Sequence, residues 1–556
     1  MNRKIFFAFL AFLCSASVFA AEKLLWHDLR LDEQGKLLAW SEVDSPYSDV
    51  VCRAWNAFKK IPTQPNGYKT YIVYPVFYGP GDPQHPLFSG REWTHNPAGL
   101  FAMLTDGAIL YYPYSGDEEI MPLVRGMLDH AIAYGSTSKS DAWSQVPYAS
   151  SDAGDPNYHG ANDKQYEKQM NDGFLGRGDG VGVIEPDKVG ELGLAYLQFY
   201  EFSLEKKYLK AARHCADALA RHVRDGNAGR SPWPFRVDAH SGTVIREDYT
   251  ANAIGPIKLL DEMIRLGEGD TVVYHNARDK AWAWLMMYPL QNNIWSQYFE
   301  DIYIYPDYRT NLNQYCPLET ARYLMDHPVR DPAWRNHAQG LIEWTRSHFA
   351  IDSATMAGVP EKGLQWDAEV LSEQVNDMDK MSSHTARYAS VMALWHERTG
   401  DAAAKEKAFR SFNWATYSCR DDGLVKTSLD EGTGYWFSDG YGDYMRHFLR
   451  GMASVPQWAP RRENHLLRSS SVIQSIKYEK DKIEYRTFDA SGQELFKLRE
   501  RPRQILLNGI ALSEKENIDL EKQSDECFVV KPVANGGFAI TVIRRNANKA
   551  TIVLGE

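Results

Sequence analysis

Cysteine is scarce: six residues in 556, one of them (Cys14) in an N-terminal leader. The other five, Cys52, Cys215, Cys316, Cys419 and Cys527, stand tens of residues apart. No CxxC and no zinc-ligand spacing occurs, which excludes a disulfide scaffold and gives no metal site. Most of these thiols fall on apolar helical faces and read as small buried hydrophobes. One disulfide is compatible with an oxidising compartment, with no pairing singled out. Basic charge is also short. Lys plus Arg is 62 against 73 Asp plus Glu, a net charge of -11. A nucleic-acid partner would call for a basic face, so none is expected. Long apolar runs are missing as well. The longest, Ile5 to Leu13, has nine residues, against roughly 20 for a membrane span. Cofactor motifs are absent: GRGDG at 176–180 lacks the Gly pattern and the Lys-Ser/Thr of a phosphate loop. Asp172, Asp179 and Glu185 do not follow calcium-loop spacing. The expectation is no cofactor.

What is there begins with an address. Arg3 and Lys4 precede the nine-residue apolar run, and Val18-Phe19-Ala20 fits a small-residue cleavage site. Residues 1–21 read as a secretory signal peptide, and the large residue before Cys14 argues against a lipoprotein. The mature chain is expected to be periplasmic or secreted, with net charge -13 once Arg3 and Lys4 are removed. Aromatics reach 13%, with 16 Trp and 31 Tyr. Flat rings of this kind build cores and also stack on sugars.

The body of the chain repeats one plan: an apolar helix, a short polar turn, an amphipathic helix. The clearest copy is 187–223, KVGELGLAYLQFYEFS, the turn LEKK, then YLKAARHCADALARHV. Others begin near Pro97, Tyr249, Asn313 and His384, with turns near 117, 270, 331 and 401. The more apolar first helix of each pair is predicted to be the inner one. A lone helix over 49–60 and another from Gly442 bring the count to twelve, six inner and six outer. After Pro460 the pattern changes to seven short alternating segments, from VIQSIKYE to KATIVLGE.

Over about residues 45–458, the hairpin count, the helix-turn pattern and the Trp/Tyr-rich connecting loops resemble the six-hairpin, or (α/α)6-toroid, superfamily of carbohydrate-active enzymes. No catalytic motif of an individual family matches, including the blocks of unsaturated glucuronyl hydrolases. The resemblance implies a mainly α fold, an (α/α)6 toroid over 22–460 with an N-terminal extension, followed by a small C-terminal antiparallel β-sandwich over 465–556. It also implies a place for the site: the cleft lined by the loops that enter the inner helices. The same plan serves sugar epimerases and terpene cyclases, so it does not choose the reaction.

Those entering loops are long, whereas the hairpin turns are short, an asymmetry typical of functional loops. Glycoside hydrolysis generally needs two carboxyls. Loops opposite one another in a six-fold ring offer two pairs, Asp248 with Asp439 and Asp187 with Asp379. Helix capping is the competing role for Asp187 and Asp248. Glu191 stands one turn into its helix, and Asn252 one turn beyond Asp248. Tyr249, Tyr308 and Trp436 are candidate sugar-stacking rings. Arg309 and Arg387 suit a uronate carboxylate through paired hydrogen bonds. His384 shares a helical face with Arg387, and Asn313 completes the binding set.

The leading expectation is an exported glycoside hydrolase acting on oligo- or polysaccharides that contain uronic acid. A polysaccharide lyase is the first alternative, with Asn313, His384, Arg387 and Tyr388 supplying base and carboxylate neutraliser. A non-catalytic sugar-binding protein is the second. The expected partner is a carbohydrate; the oligomeric state is left open.

Overall fold

The computed structural model describes residues 23–60, 76–77, 97–149, 182–245, 248–296, 308–351, 366–374, 377–426, 434–435, 440–517 and 526–555. Twelve helices of ten residues or more carry the first part: α1 (Pro46–Lys60), α2 (Pro97–Ser115), α3 (Ile120–Tyr134), α4 (Pro186–Ser203), α5 (Lys206–His222), α6 (Ile254–Leu266), α7 (Thr271–Met287), α8 (Tyr315–Asp326), α9 (Trp334–Phe349), α10 (Ser382–Thr399), α11 (Ala402–Thr416) and α12 (Met445–Ser454). Helices α2, α4, α6, α8, α10 and α12 each touch the next, and α12 returns to α2, closing an inner ring. Helices α3, α5, α7, α9 and α11 each back the preceding inner helix. The sixth outer place is taken by α1 against α12, so the first and last helices of the toroid close it.

Burial follows the sequence pattern. Helix α4 is buried on nearly every face, whereas α5 buries Tyr208, Ala212, Cys215, Ala216 and Leu219 on one stripe. The hairpin turns use left-handed backbone at Gly116, Leu204, Gly267 and Gly400. Asp270 and Asp401 cap α7 and α11 through backbone N–H groups. Residues 23–45 run along the outside, where Arg410 and Asn413 of α11 both donate to Leu37 O at 2.9 Å.

The C-terminal residues form ten strands: β1 (His465–Ser469), β2 (Ile473–Tyr478), β3 (Lys482–Thr487), β4 (Gly492–Leu498), β5 (Gln504–Leu507), β6 (Ile510–Ala511), β7 (Ser513–Glu514), β8 (Cys527–Pro532), β9 (Phe538–Arg544) and β10 (Lys549–Val553). They make two five-stranded sheets, ordered β1-β4-β9-β8-β7 and β2-β3-β10-β5-β6. The Tyr485 and Phe496 rings, one from each sheet, meet at 5.3 Å. Seven of the ten strands match the alternating segments. Strands β6 and β7 are too short and exposed to alternate, and β7 pairs parallel with β8, a departure from the all-antiparallel expectation. Strand β1 was missed because His465, Leu466 and Leu467 are all buried, with no polar face.

The sheets sit on the hairpin-turn end of the ring. His465 stacks on Tyr114 at the end of α2, 4.1 Å between centroids, and its Nδ1 lies 2.8 Å from Tyr114 O. Gln474 donates to Glu201 O at the end of α4, 2.9 Å, and Arg265 in the last turn of α6 pairs with Asp489, 2.8 Å. The N-terminal ends of the inner helices lie at the other end of the ring. The five cysteines in the described residues are free thiols, four of them buried. No described helix is long and apolar enough to cross a membrane.

Candidate functional site

The first turns of four inner helices, and the segments just before them, place charged side chains on the ring axis. Asp187, Lys188 and Glu191 come from α4, Asn252 precedes α6, Tyr315 opens α8, and Arg387 comes from α10. Asp187 does not cap α4, whose N-cap position is Glu185. Its Oδ1 accepts from Lys188 N at 2.8 Å and its Oδ2 from Asn252 Nδ2 at 2.9 Å. The same Asn252 nitrogen donates to Glu191 Oε1 at 3.1 Å, and Tyr315 Oη donates to that oxygen at 3.1 Å. Lys188 Nζ lies 3.4 Å from Glu191 Oε2 and 4.0 Å from Asp187 Oδ2. One amide therefore bridges two carboxylates on one helix, holding the bonded oxygens within about 6 Å of each other.

Two glycines make this bridge possible. A Cβ on Gly190 would stand 2.3 Å from Pro256 N, and one on Gly255 would stand 2.7 Å from Glu191 Cγ. Without side chains there, α4 and α6 approach closely enough for Asn252 to span both acids.

Beneath this cluster runs a buried ionic chain. Arg387 pairs with Asp443, donates to Gln314 Oε1 at 3.2 Å, and lies 4.6 Å over the Tyr315 ring. Asp443 also accepts from Arg446 Nε at 3.0 Å and lies 3.0 Å from His447 Nε2. Arg446 continues to Asp106 of α2 at 3.1 Å. Burial would raise the Asp443 pKa, but the Arg387 and Arg446 guanidinium groups hold it well below the usual carboxylate range. His384 is buried beside this chain. Burial, then the Arg387 charge, pushes its pKa down to about 3, so it is a neutral imidazole at neutral pH.

The remaining expected residues are spread more widely. Asp248 is half-exposed and pairs with Arg224, away from Asp187. Tyr249 is buried against Trp284 and donates to Ile294 O at 2.9 Å, which makes it part of the scaffold. Asn313 Oδ1 accepts from the Tyr315 and Cys316 N–H groups, ordering the start of α8. Arg387 has its guanidinium committed to Asp443 and Gln314, so it positions Tyr315 rather than standing open for a uronate. Tyr388 donates to Glu369 on the outer side and does not join Asn313 and Arg387 as an elimination set. Arg309 is exposed on the short turn Tyr308–Thr310. Asp439, Trp436 and the side chains of Asp379 and Tyr308 lie outside the described residues.

Sequence reasoning missed Gln314, Tyr315, Arg446 and His447. Their signal was present: Asp443, Arg446 and His447 follow i, i+3, i+4 spacing at the start of a helix otherwise read as core. Charge on a face that should be apolar marks an axis cluster.

No protein-family model and no curated protein matches this sequence. Solved structures do. A D-mannose isomerase superposes with TM-score 0.52 at 12% identity, covering 75% of this chain and 100% of its own. Cellobiose 2-epimerase from Spirochaeta thermophila gives 0.52 at 10% identity, covering 73% and 96%. A family 76 glycoside hydrolase from a bovine Bacteroides thetaiotaomicron strain gives 0.47 at 12%, covering 74% and 77%. With its closed ring of six inner and six outer helices, the chain has an (α/α)6-toroid fold, and these solved structures are similar to it in that fold.

Proposed function

We propose that the protein is an exported carbohydrate-active enzyme, a glycoside hydrolase whose reacting groups are Asp187 and Glu191. The observation that carries this reading is the single Asn252 amide joining both carboxylates on the ring axis. A retaining mechanism is assigned to the pair, and net retention of the anomer is its test, since retaining pairs stand ~5–5.5 Å apart and inverting ones ~6.5–9.5 Å. Glu191, the more exposed of the two, is assigned the acid/base role. Asp187, held by two N–H donors, is assigned the nucleophile. Lys188 and Tyr315 orient Glu191. A uronate-containing oligosaccharide remains the substrate class, with Arg309 and the entering loops as its contacts. Residues 22–460 form the catalytic unit, and the two C-terminal sheets an appended β-sandwich.

The test uses the mature protein from Ala21 with neutral and uronate-containing oligosaccharides. Reducing-end release and unsaturated-uronate absorbance are read in the same tubes, with the anomer followed by NMR. New reducing ends without the chromophore support hydrolysis. Their appearance with the chromophore would replace it with elimination. Glu191→Gln and Asp187→Asn should each lower kcat by about 100-fold or more. Undiminished turnover in both variants would remove them from the chemistry.

A second reading, sugar isomerisation or epimerisation, is favoured by the fold-level likeness to a D-mannose isomerase and a cellobiose 2-epimerase, both at TM-score 0.52. Isomer formation without new reducing ends, abolished in His384→Gln, would carry that reading.

A further inference from the structure

The ring has a second functional-looking end. Where α2, α4 and α6 meet β1 and the turn into β2, the structure holds a cavity of about 290 Å3. Small-ligand sites occupy roughly 300–1,000 Å3 and favour junctions between structural units. Two sides of the cavity are apolar, with Ile109, Leu110, Leu194 and Leu197 from the ring facing Val472 and Ile473 from the sheets.

Four buried or half-buried carboxylates reach the same space, and each is already held by arginine. Asp106 takes Arg446 and Arg450, Glu201 and Glu262 share Arg265, and Asp261 takes Arg278 and Arg330. Lys258 is different. Its Nζ has a single acceptor among the described residues, Glu319 Oε2 at 3.5 Å, the outer limit of a hydrogen bond. An ammonium has three N–H donors, so most of its capacity is unspent. Gln198 makes no side-chain hydrogen bond among the described residues and lines the same wall. His327 lines it too; burial lowers its pKa, which keeps the ring neutral at neutral pH.

We propose that this cavity binds a small hydroxylated monocarboxylate of the sugar-acid class. The carboxylate sits on Lys258 Nζ, hydroxyls meet the Gln198 amide and the His327 ring, and the C–H faces lie on the leucines. The spare N–H donors of Lys258 suit the two oxygens of one carboxylate; a phosphate would bring more negative charge than a single lysine, already beside Glu319, offsets. Glu191 is not part of the wall, so the site is separate from the carboxylate pair and does not depend on the reaction there.

The test is titration calorimetry on the intact protein with glucuronate, and with glucose as the uncharged comparison. Saturable glucuronate binding should weaken about tenfold or more in Lys258→Met and Gln198→Leu, and persist in Glu191→Gln. Glucose should bind at least tenfold more weakly than glucuronate. Circular dichroism checks that each variant folds, and Gln198→Leu leaves the charged layer intact if Lys258→Met does not. Absence of saturable heat overturns the proposal. So does equal affinity for glucose, or binding lost in Glu191→Gln but unchanged in Lys258→Met, which would place the ligand at the carboxylate pair.

Discussion

Arg387 shows what a single buried charge does here. Its guanidinium holds Asp443 ionised, packs on Tyr315 and donates to Gln314. Arg387→Met should therefore cost about 3–5 kcal/mol of stability in urea unfolding, because Asp443 loses a partner in a dry interior. A cost below about 1 kcal/mol would mean that Arg446 and His447 suffice. The same chain contributes to the acid response, beside other buried histidines such as His130, whose pKa burial lowers to about 4. His384, with its pKa depressed to about 3, is neutral in the fold, whereas the unfolded imidazole titrates near 6.5. Below about pH 6.5 the unfolded state binds a proton that the folded state refuses, so stability falls as the pH drops toward 3. Asp443, with its pKa depressed, adds stability above about pH 3.9 that is lost only at lower pH. Melting temperature should accordingly decline from pH 7 to pH 4, and His384→Gln should flatten the part between 6.5 and 4. An unchanged slope in that variant would assign the acid lability elsewhere.

At the scale of elements, the decisive contact is α4 on α6. Gly190 faces the backbone of Pro256, which has no flexible end to swing aside. Gly190→Ala should separate the two helices, costing about 1–3 kcal/mol by overpacking and pulling Asn252 away from Asp187 and Glu191. The urea midpoint reads the first effect and kcat the second. An alanine variant of native stability and activity would show that the close approach is not what builds the site. The hairpin turns and helix periods were legible in the sequence because they are local: left-handed glycines at 267 and 400, and apolar stripes on outer helices such as α5. The carboxylate pair was only half legible. Asp187 and Glu191 were both visible near the start of an inner helix, but pairing was sought across the ring. The bridging residue, Asn252, lies 65 positions from Asp187, and nothing local in the chain announces that contact.

For the whole molecule, the sheets act as a floor under the ring. Tyr478 donates to Pro113 O, the backbone N–H of Ile476 donates to Tyr112 Oη at 3.3 Å, and Arg468 pairs with Glu397 at the end of α10. Buried aromatic and ionic contacts of this kind couple the two parts, so calorimetry of the full chain should show one cooperative transition. Two well-separated transitions would show that ring and sheets unfold independently. Residues 1–460 alone would expose Tyr112, Tyr114 and the apolar wall above Leu194, and should aggregate at lower temperature than the full chain.

The amino-acid sequence by itself determined the twelve helices, their inner and outer ranks, and the change to strands after Pro460, since each depends on periodicity within a short window. Tertiary structure alone decided which charges meet on the axis. Burial turned Arg387 from an open clamp into the partner of Asp443, sent Tyr249 and Tyr388 into the scaffold, and left Lys258 with spare donors beside the sheets. Those outcomes depend on close approach between residues far apart in the chain, and on the loss of water around them, neither of which any local pattern encodes.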